Sequence, residues 1–362
     1  MRILVAMSGG VDSSVVAHML KAEGHDLVGV MMKLWIDPLA PIVRRAIPTK
    51  CCSVEHIQRA RSVCEKLKIP FYVKNLEDEF KRKVVDPFLR DYAEGKTPNP
   101  CITCNRVIKF GALLDVAKEL GCEKIATGHY ARIAKSETGG RKRWKLLEAV
   151  DTQKDQSYFL YGLSQEQLGR CLFPLGDLQK EEVFKRAKKF GVPLNDSYRE
   201  SQDLCFFPEK NPKAFLKRYL TELKPGPIET TDGREVGRHE GLPLYTVGQR
   251  RGLGIGGLKI PLHVVEKRQT SNTIVVAESG SEKKRSIEFT DPNWIPDQPE
   301  ILSSLRLQGR TRSLGRKVWG RVKKNGNTWE FGLEKASGPI AAGQAIVLYD
   351  EDRVIGGGTI VG

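Results

Sequence analysis

The 362-residue sequence has no long apolar run, which excludes a chain anchored by a transmembrane helix. No stretch approaches the roughly 18 consecutive apolar residues that suggest a spanning helix. The first apolar run, Ile3–Met7, ends at Ser8-Gly9-Gly10 and is shorter than the hydrophobic region of a secretory signal. We therefore expect a cytoplasmic protein whose eight cysteines are reduced thiols, metal ligands or catalytic groups before they are structural disulfides.

Acidic residues are scarce relative to basic ones. The sequence has 59 Lys and Arg against 44 Asp and Glu, a formal net charge of +15. Between Ile301 and Lys324 there is no acid, and eight basic residues are spaced among apolar ones: Arg306, Arg310, Arg312, Arg316, Lys317, Arg321, Lys323 and Lys324. Charge alone is compatible with an ordinary basic protein, but this distribution is typical of a charged face on folded strands. A phosphate backbone would suit such a face.

The first half of the sequence alternates strands and helices. Apolar runs of strand type occur at Arg2–Met7, His25–Trp35, Pro70–Val73 and Lys124–Thr127, and helical patterns at Ser13–Ala22, His56–Leu67 and Asn105–Leu120. Strands separated by helices of this length predict an α/β fold with a doubly wound parallel sheet.

The pattern changes after about Phe207, where prolines and glycines punctuate short runs. Alternating runs such as Thr273–Val276 and Ala345–Tyr349 predict all-β modules. The sequence shows no internal repeat and no low-complexity tract. We place the domains at residues 1–207, 208–277 and 278–362.

A glycine turn follows the first predicted strand and opens the first predicted helix. It reads Ser8-Gly9-Gly10-Val11-Asp12-Ser13-Ser14. The glycines allow close approach of a polyphosphate, hydroxyls and helix amides can donate to it, and Asp12 could hold or orient Mg²⁺. A plain turn needs one capping serine where three are present. Gly95-Lys96-Thr97 and Gly252–Gly257 resemble other nucleotide motifs, but the first lacks its leading glycine and the second lacks the helix that should follow.

Three cysteines stand out from the rest. Cys101 and Cys104 lie on a proline-stiffened segment that leads into the predicted Asn105 helix, where the helix dipole favours a thiolate at Cys104. Cys205 lies just before the domain boundary. Only one C-x-x-C exists, so a zinc site is unconvincing. We interpret Cys64, Cys122 and Cys171 as structural, and Cys51-Cys52 has no assigned role.

These motifs together resemble the bacterial-type tRNA-specific 2-thiouridylases of the ATP pyrophosphatase superfamily. The resemblance runs essentially end to end. It rests on Ser8–Ser14, Met31–Trp35, Thr97–Asn105, Ala126–Tyr130, Lys154–Leu160, Ser201–Phe206 and Tyr245–Gly254. It implies an adenine nucleotide alpha hydrolase-like sheet domain, a β-rich linking domain and a C-terminal β-barrel.

The resemblance also assigns residues. It implies ATP binding by Ala6, Met7, Ser8, Gly9, Gly10, Val11, Asp12, Ser13, Met32 and Gly128. It implies a target-base loop at Asn99, Pro100 and Cys101, and tRNA contacts at Lys154, Asp155, Gln156, Arg310 and Thr311. The last pair is a looser match, because an aromatic residue often follows the first arginine. The alternative interpretation of Lys154–Gln156 is the solvated start of a helix. His129 could be a base or a ligand, and the alternative is a histidine whose hydrogen bonds are satisfied within the protein.

The implied chemistry is ATP-dependent 2-thiolation of the tRNA wobble uridine, with Mg²⁺. In the family the residue matching Cys205 carries a persulfide. Cys104 either attacks that persulfide, which frees a sulfide and leaves a Cys104–Cys205 disulfide, or attacks the base directly. Some relatives have aspartate at the Cys101 position, so we also consider a [4Fe–4S] cluster on Cys101, Cys104 and Cys205.

Two other functions remain compatible with the sequence. One is a ligase or amidotransferase of the same superfamily acting on a small metabolite, which leaves the basic β-rich third unexplained. The other is a non-catalytic RNA-binding protein, against which the Ser8–Ser14 turn and the Cys104/Cys205 pair argue. The resemblance further implies a cysteine desulfurase or sulfur relay protein as donor, and we expect a monomer.

Overall fold

The computed structural model describes residues 1–41, 54–138, 141–193, 204–256, 261–278, 283–295, 302 and 304–361. The chain forms two compact units. The first unit comprises Met1–Val84, Cys101–Lys210 and Asp352–Ile355, and the second comprises Val85–Pro100, Asn211–Glu351 and Gly356–Gly362. No helix among the described residues is both long and apolar enough to cross a membrane.

A five-stranded parallel sheet forms the centre of the first unit. The strands of this unit are β1 (Arg2–Ala6), β2 (Asp26–Lys33), β3 (Phe71–Asn75), β4 (Lys124–Ala126), β5 (Arg132–Thr138), β6 (Arg141–Leu147) and β7 (Cys171–Leu172). The sheet has the order β3-β2-β1-β4-β7 with every pairing parallel, and β5 and β6 form an antiparallel hairpin. The predicted parallel sheet is confirmed.

Helices connect these strands and continue into the second unit. Among the described residues, the α-helices are Val11–Ala22, Val54–Lys66, Glu77–Phe80, Asp86–Ala93, Pro100–Cys104, Leu113–Glu119, Gln165–Arg170, Lys180–Lys189 and Lys213–Tyr219. In the same residues, π-helical stretches lie at Lys81–Val85 and Asn105–Ala112, and 3₁₀ turns at Ser157–Phe159 and Leu242–Leu244. Most of the helical residues lie in the first half of the chain, as its apolar periodicity predicts.

Alternate side chains of β1 enter two different hydrophobic cores. Ile3 and Val5 pack with the helices Val11–Ala22, Val54–Lys66 and Lys180–Lys189. Leu4 packs instead with the helix Leu113–Glu119. Because successive side chains of a strand point to opposite faces, helices cover both faces of the sheet, and the doubly wound architecture follows.

The second unit is mainly β-structure. Its first sheet contains β8 (Gly226–Thr230), β9 (Glu235–His239), β10 (Leu262–Arg268) and β11 (Thr273–Glu278), in the order β10-β11-β8-β9. The later strands are β12 (Lys284–Trp294), β13 (Leu307–Arg310), β14 (Val318–Asn325), β15 (Thr328–Ser337), β16 (Ala345–Asp350) and β17 (Arg353–Ile360). They follow the order β12-β15-β14-β13-β16-β17, and pairing of β17 with β12 closes a six-stranded barrel. The expected β-barrel is confirmed.

Candidate active site

The strand order creates a topological switch point between β1 and β4. From β1 the chain moves outward through β2 and β3, whereas β4 lies on the other side of β1. Loops that leave the carboxyl ends of β1 and β4 therefore diverge, and open α/β sheets bind ligands in the crevice between such loops. Ser8–Ser14 follows β1 and Gly128 follows β4, so two segments predicted to bind nucleotide lie at this point. Of the other predicted residues, Ala6 ends β1, Met7 is buried directly after it, and Met32 is half-buried near the end of β2 and packs against the Leu4 core.

Serine hydroxyls stabilise the loop after β1 from within. The Ser8 and Ser13 hydroxyl oxygens lie 3.1 Å apart, and the Gly10 amide donates to Ser8 Oγ at 3.3 Å. Ser13 and Ser14 each donate to the Gly10 carbonyl oxygen, at 3.2 and 2.8 Å. The N-cap of the following 12-residue helix is Gly10, which has no side chain to cap the first-turn amides. Those amides can therefore donate to a bound anion.

Two positions around the loop require glycine. Gly9 has φ of +71°, and a Cβ added there would lie 2.3 Å from the His56 carbonyl oxygen. A Cβ on Gly128 would lie 2.9 Å from the Cβ of Asp12. The loop after β4 therefore touches the loop after β1, and a side chain at either glycine would displace the phosphate loop.

A buried lysine pairs with the carboxylate of this loop. Lys180, the first residue of its helix, is only 4% exposed, and its Nζ lies 2.7 Å from Asp12 Oδ1. The Tyr130 hydroxyl donates to the same oxygen at 3.0 Å. The Lys180 ammonium also lies 5.3 Å from the ring centre of Tyr130 and 5.0 Å from that of Phe184. Lys180 and Tyr130 therefore orient the Asp12 carboxylate by donating to the same oxygen, Oδ1.

Sequence reasoning assigned no role to Lys180. A signal was present, because Lys180, Val183 and Ala187 share the i, i+3, i+7 spacing of one helix face, and all three are buried. A charged residue on an apolar face indicates a paired charge. Its partner lies 168 residues earlier in the chain and leaves no local pattern.

The predicted tRNA segment Lys154–Gln156 is linked to the same residues. The Asp151 carboxylate accepts from the backbone amide of Lys180 at 3.0 Å and from that of Gln153 at 3.1 Å. The Gln156 amide donates to the Tyr130 carbonyl oxygen at 2.8 Å, and the Tyr130 amide donates to Gln156 Oε1 at 3.0 Å. The Lys154 amide donates to the Asp151 carbonyl oxygen at 3.1 Å, so the segment is bonded to Tyr130 directly and to Lys180 through Asp151.

The three residues of this segment have different surroundings. Asp155 is 2% exposed, and its carboxylate accepts from the Ala149 and Ser157 amides, each at 3.1 Å, and from the Ser157 hydroxyl at 2.9 Å. Its acceptors are used inside the protein, so it orders the turn. Lys154, by contrast, lines an open cavity of about 560 Å³ together with Gln153, Gln179 and Lys180. The segment leads into the 3₁₀ turn Ser157–Phe159, with Gln156 as its N-cap, so it is a helix start, but one in which Asp155 is buried and Lys154 is half-buried.

His129 is packed beside the crevice. Its Nδ1 lies 2.7 Å from the Thr127 hydroxyl, and the Lys109 ammonium lies 3.5 Å from its Nε2. Its ring contacts Phe110 and Phe173. Burial, and then the Lys109 charge, lower the pKa of His129 well below its usual value. A neutral ring that donates from Nδ1 and accepts at Nε2 satisfies both contacts, which agrees with the interpretation of a satisfied histidine.

The helix that carries Cys104 begins earlier than predicted. The sequence analysis began it at Asn105, but the chain is already helical from Pro100 to Cys104 and continues as a π-helix through Ala112. Cys104 therefore lies one turn inside, where the dipole argument for its thiolate was wrong, and Cys101 occupies the first turn instead. The prediction failed because proline at the first helical positions, which stabilises a helix start, was interpreted only as loop stiffening.

Neighbouring segments fix this helix in the first unit. Cys104 is buried, and the side-chain amide of the next residue, Asn105, donates to the Phe159 carbonyl oxygen at 3.0 Å. The Gln167 side chain donates to the Arg106 and Phe110 carbonyl oxygens at 2.9 and 2.6 Å. Cys104 thus lies on a segment held by its own Asn105 side chain, which bonds to the Phe159 main chain, and by the Gln167 side chain from another helix.

Cys205 belongs to the first unit as well and is half-buried. The adjacent Phe206 is 1% exposed, packs edge-on against Phe80 and Phe207, and accepts from the Asp37 amide at 2.9 Å. This packing anchors the chain next to the thiol. Cys51-Cys52 and Ser201–Asp203 lie outside the described residues.

The three cysteines interpreted as structural have environments that suit that role. Cys64, Cys122 and Cys171 are buried. Burial raises the pKa of the Cys64 thiol to about 12, and it also raises the pKa values of Cys122 and Cys171. Such thiols are poor nucleophiles at neutral pH.

No group of three His, Cys, Asp or Glu side chains that could hold a metal ion occurs in the described part of the chain. Cys101, Cys104 and Cys205 all lie in that part, so their arrangement does not fit a cluster ligated by all three. The [4Fe–4S] hypothesis is therefore not supported.

The remaining predicted residues lie in the second unit. The Gln344 side-chain amide donates to the Thr97 carbonyl oxygen at 2.8 Å, directly before the loop of Asn99 and Pro100. Arg310 is only 9% exposed, and its guanidinium lies 5.0 Å from the ring centre of Tyr349. Thr311, next to it, is half-buried. The barrel strand therefore buries most of the arginine side chain that was expected to contact tRNA.

Comparisons with known proteins agree with this architecture. Three family models match: tRNA methyl transferase HUP domain at residues 1–209, tRNA methyl transferase PRC-barrel domain at residues 213–278, and Aminomethyltransferase beta-barrel domain at residues 284–360. A solved 4-thiouridine synthetase–RNA complex with bound ATP is 17% identical, with a TM-score of 0.33, and the match covers 53% of this chain and 41% of that one. At that level it adds nothing to the assignment.

Curated relatives match along the whole chain. The tRNA-specific 2-thiouridylase MnmA of Chloroflexus aggregans is 44% identical over 360 residues, covering 99% of this chain and 98% of the relative. The tRNA-specific 2-thiouridylase MnmA of Clostridioides difficile is 40% identical over 361 residues, with 99% and 98% coverage. Identity of this extent confirms the resemblance found in the sequence motifs, and the chain belongs to the tRNA-specific 2-thiouridylase family.

Proposed function

We propose that the chain catalyses ATP-dependent 2-thiolation of the wobble uridine of tRNA. The observation that supports this most strongly is the phosphate loop at the β1/β4 switch point, whose Asp12 is held by Lys180 and Tyr130. Cys104 and Cys205 lie in the same compact unit. The basic residues of the second unit supply cations for a phosphate backbone.

The uracil carbonyl is a poor electrophile and must be activated first. The C2 carbonyl oxygen attacks the α-phosphate of ATP, which forms an adenylate and releases pyrophosphate. First-turn amides of the helix Val11–Ala22 and the loop hydroxyls stabilise the phosphate charge. Asp12 is the loop carboxylate that would help to hold Mg²⁺, and the bound ion would neutralise charge on the departing pyrophosphate.

Sulfur then replaces the activated oxygen. In the proposed route a persulfide on Cys205 is attacked by Cys104, the nucleophile. A Cys104–Cys205 disulfide forms and a sulfide is released, which displaces AMP from C2 to give 2-thiouridine. A reductant of the thiol class must reduce the disulfide before the next cycle. Direct attack of Cys104 on the base remains the other branch of the proposal.

Partners and domains follow from the family. A cysteine desulfurase or a relay carrier would load Cys205, and Asn99, Pro100 and Cys101 would meet the target base. The division at residues 1–207, 208–277 and 278–362 remains a proposal, and the ranges of the three matched family models support it.

A thiolation assay with labelled sulfur tests this function. Unmodified tRNA, ATP and a persulfide donor are incubated with the wild type and with Cys205→Ser, and nuclease mapping locates the label. We expect label at the wobble uridine with the wild type. We expect none with Cys205→Ser, which should bind ATP normally because Cys205 is not part of the phosphate loop. Cys171→Ser, which removes a buried thiol, serves as the matched control and should retain activity. Full thiolation by Cys205→Ser would refute the persulfide route.

The assay also separates the proposed function from its alternatives. Stimulation of pyrophosphate release by tRNA distinguishes it from a ligase that acts on a small metabolite. A wild type that binds tRNA but never labels it would instead favour a non-catalytic RNA-binding protein.

A further inference from the structure

The barrel carries an exposed tryptophan on its outer face. On β14, Gly320 and Val322 are buried, whereas Trp319, Arg321 and Lys323 alternate with them and are exposed. Because strand side chains alternate between faces, these three lie along one outer row. Trp319 is 38% exposed, and in the described chain only one other aromatic side chain, Tyr72, is as open to solvent.

A fixed guanidinium lies over part of the Trp319 ring, which still leaves the residue 38% exposed. The Cζ of Arg306 lies 4.3 Å from the ring centre. The two carboxylate oxygens of Glu334 accept from Arg306 Nε and Nη2 at 2.6 and 2.8 Å. This bidentate pair sets the plane of the guanidinium, so two flat groups are presented together with little rotational freedom to lose on binding.

The neighbouring aromatic residue shows a different arrangement. Tyr349 is 0% exposed, with the Arg310 guanidinium 5.0 Å and the Lys317 ammonium 4.3 Å from its ring centre. Its face is fully covered, so Tyr349 cannot contact a ligand. Of these two rings, only Trp319 remains accessible.

Two further cations lie on the same outer row of β14 as Trp319. Arg321 donates to the Ser304 carbonyl oxygen at 2.9 Å, and Lys323 forms an exposed ion pair with Glu330 at 3.3 Å. An exposed flat ring beside a guanidinium, next to further cations, has the chemistry that single-stranded nucleic acid recognises. A base stacks on the ring, and its phosphates contact the cations.

We propose that Arg306 and Trp319 form a stacking platform for an unpaired nucleobase of tRNA, with Arg321 contacting the adjacent phosphate. This inference rests on the proposed function, and it gives the RNA contact on the barrel to side chains that are exposed, in place of the buried Arg310. The stack supplies affinity that does not depend on salt, whereas Arg321 supplies affinity that does.

Binding of unmodified tRNA to the full chain, measured across a range of salt concentrations, tests the platform. Trp319→Ala removes one base–aromatic stack and should therefore weaken binding about 5- to 150-fold without changing the salt slope. Trp319→Phe should retain most of the affinity. Arg321→Gln should reduce the slope by about one, as expected for one lost phosphate contact. Tyr72→Ala, which removes the other exposed aromatic side chain, should bind like the wild type.

These measurements distinguish an RNA-binding role of the Arg306–Trp319 stack from a purely structural one. If Trp319→Ala unfolds at a lower temperature but binds tRNA like the wild type, the Arg306–Trp319 stack only stabilises the barrel and the inference is wrong. The same holds if Trp319→Ala and Arg321→Gln change the salt slope equally. If the wild type neither binds nor thiolates tRNA, the proposed function itself fails. If the wild type thiolates tRNA and Trp319→Ala binds and thiolates it equally well, only the stacking platform is wrong.

Discussion

Each unit contains a lysine with little access to solvent, Lys180 buried and Lys267 half-buried, and the two lysines have different partners. Lys180 in the first unit lies against the Asp12 carboxylate and the rings of Tyr130 and Phe184. Lys267 in the second unit donates instead to two main-chain carbonyl oxygens, those of Tyr245 at 2.8 Å and Leu242 at 3.5 Å. Burial of an ammonium is costly in both places, and the partner determines how that cost is met.

For Lys267 the cost of removing the ammonium from water lowers the pKa of the side chain. Burial lowers the pKa of Lys267 to about 8, because carbonyl dipoles offset less of the lost hydration than a carboxylate would. Lys267 thus ties the turn around Leu242 and Tyr245 to β10, a structural role. Lys180 meets the loop carboxylate at the switch point, a position suited to chemistry. Burial alone therefore does not identify a functional lysine. The group that the lysine contacts, a carboxylate or main-chain carbonyls, separates the two cases.

Replacement of Lys180 by methionine should have the largest effect. It leaves the Asp12 carboxylate beside the phosphate loop without its cation, so the carboxylate is no longer oriented and its charge is uncompensated. We expect tRNA-stimulated pyrophosphate release to fall about 100-fold, which corresponds to about 2.7 kcal/mol of activation free energy at 1.36 kcal/mol per factor of ten. The measurement is release at saturating tRNA as a function of ATP concentration.

Two variants make this result specific. Lys185→Met changes an exposed lysine of the same helix and should leave the rate unchanged. Lys180→Arg keeps the positive charge and should recover part of the activity. If Lys180→Met kept the wild-type rate with a normal fold, the contrast between the two lysines would lose its functional meaning.

The sequence predicts the first unit well and the details of its site less well. The parallel sheet and the position of the loop after β1 follow from local patterns, because apolar runs and glycine turns act within a few residues. The Lys180–Asp12 pair could not be predicted, since it joins residues far apart in sequence. The early helix start at Pro100 was missed although its signal was local.

The second unit was predicted at a coarser level. Alternating runs predict strands, but they do not distinguish which basic side chains fold back onto the barrel. Arg310 and Trp319 lie in adjacent strands of one basic segment, yet the arginine is almost buried and the tryptophan is open. Such differences depend on cross-strand neighbours such as Tyr349 and Glu334, which only the register reveals.

The titration of Lys267 gives the second prediction. Its pKa is lower in the folded chain than the usual 10.5, so between about pH 8 and pH 10.5 the unfolded chain holds a proton that the folded chain has released. The free energy of unfolding must therefore rise with pH across this window, by up to about 3 kcal/mol from Lys267. Lys267→Met should lack this contribution while thiolating normally.

Urea unfolding at several pH values between 7 and 10.5 measures it. The quantity to compare is the wild-type minus variant difference, because other lysines and tyrosines titrate in the same range. Lys335→Met, an exposed lysine of the same unit, should leave the rise unchanged. A difference that stays flat with pH would mean that Lys267 is hydrated in solution.

Tyr130→Phe should have the smallest effect and resolves how Asp12 is held. It removes only the hydroxyl that donates to Asp12 Oδ1 at 3.0 Å and keeps the ring beside the Lys180 ammonium. With Lys180 still in place, the loss is that of one net hydrogen bond, about 1 kcal/mol or about fivefold in tRNA-stimulated pyrophosphate release. Both donors act on one oxygen, so the losses of activity caused by the two substitutions should not add. The loss that Tyr130→Phe causes in the Lys180→Met background should therefore differ from fivefold. Strict additivity would show that the two residues hold Asp12 independently.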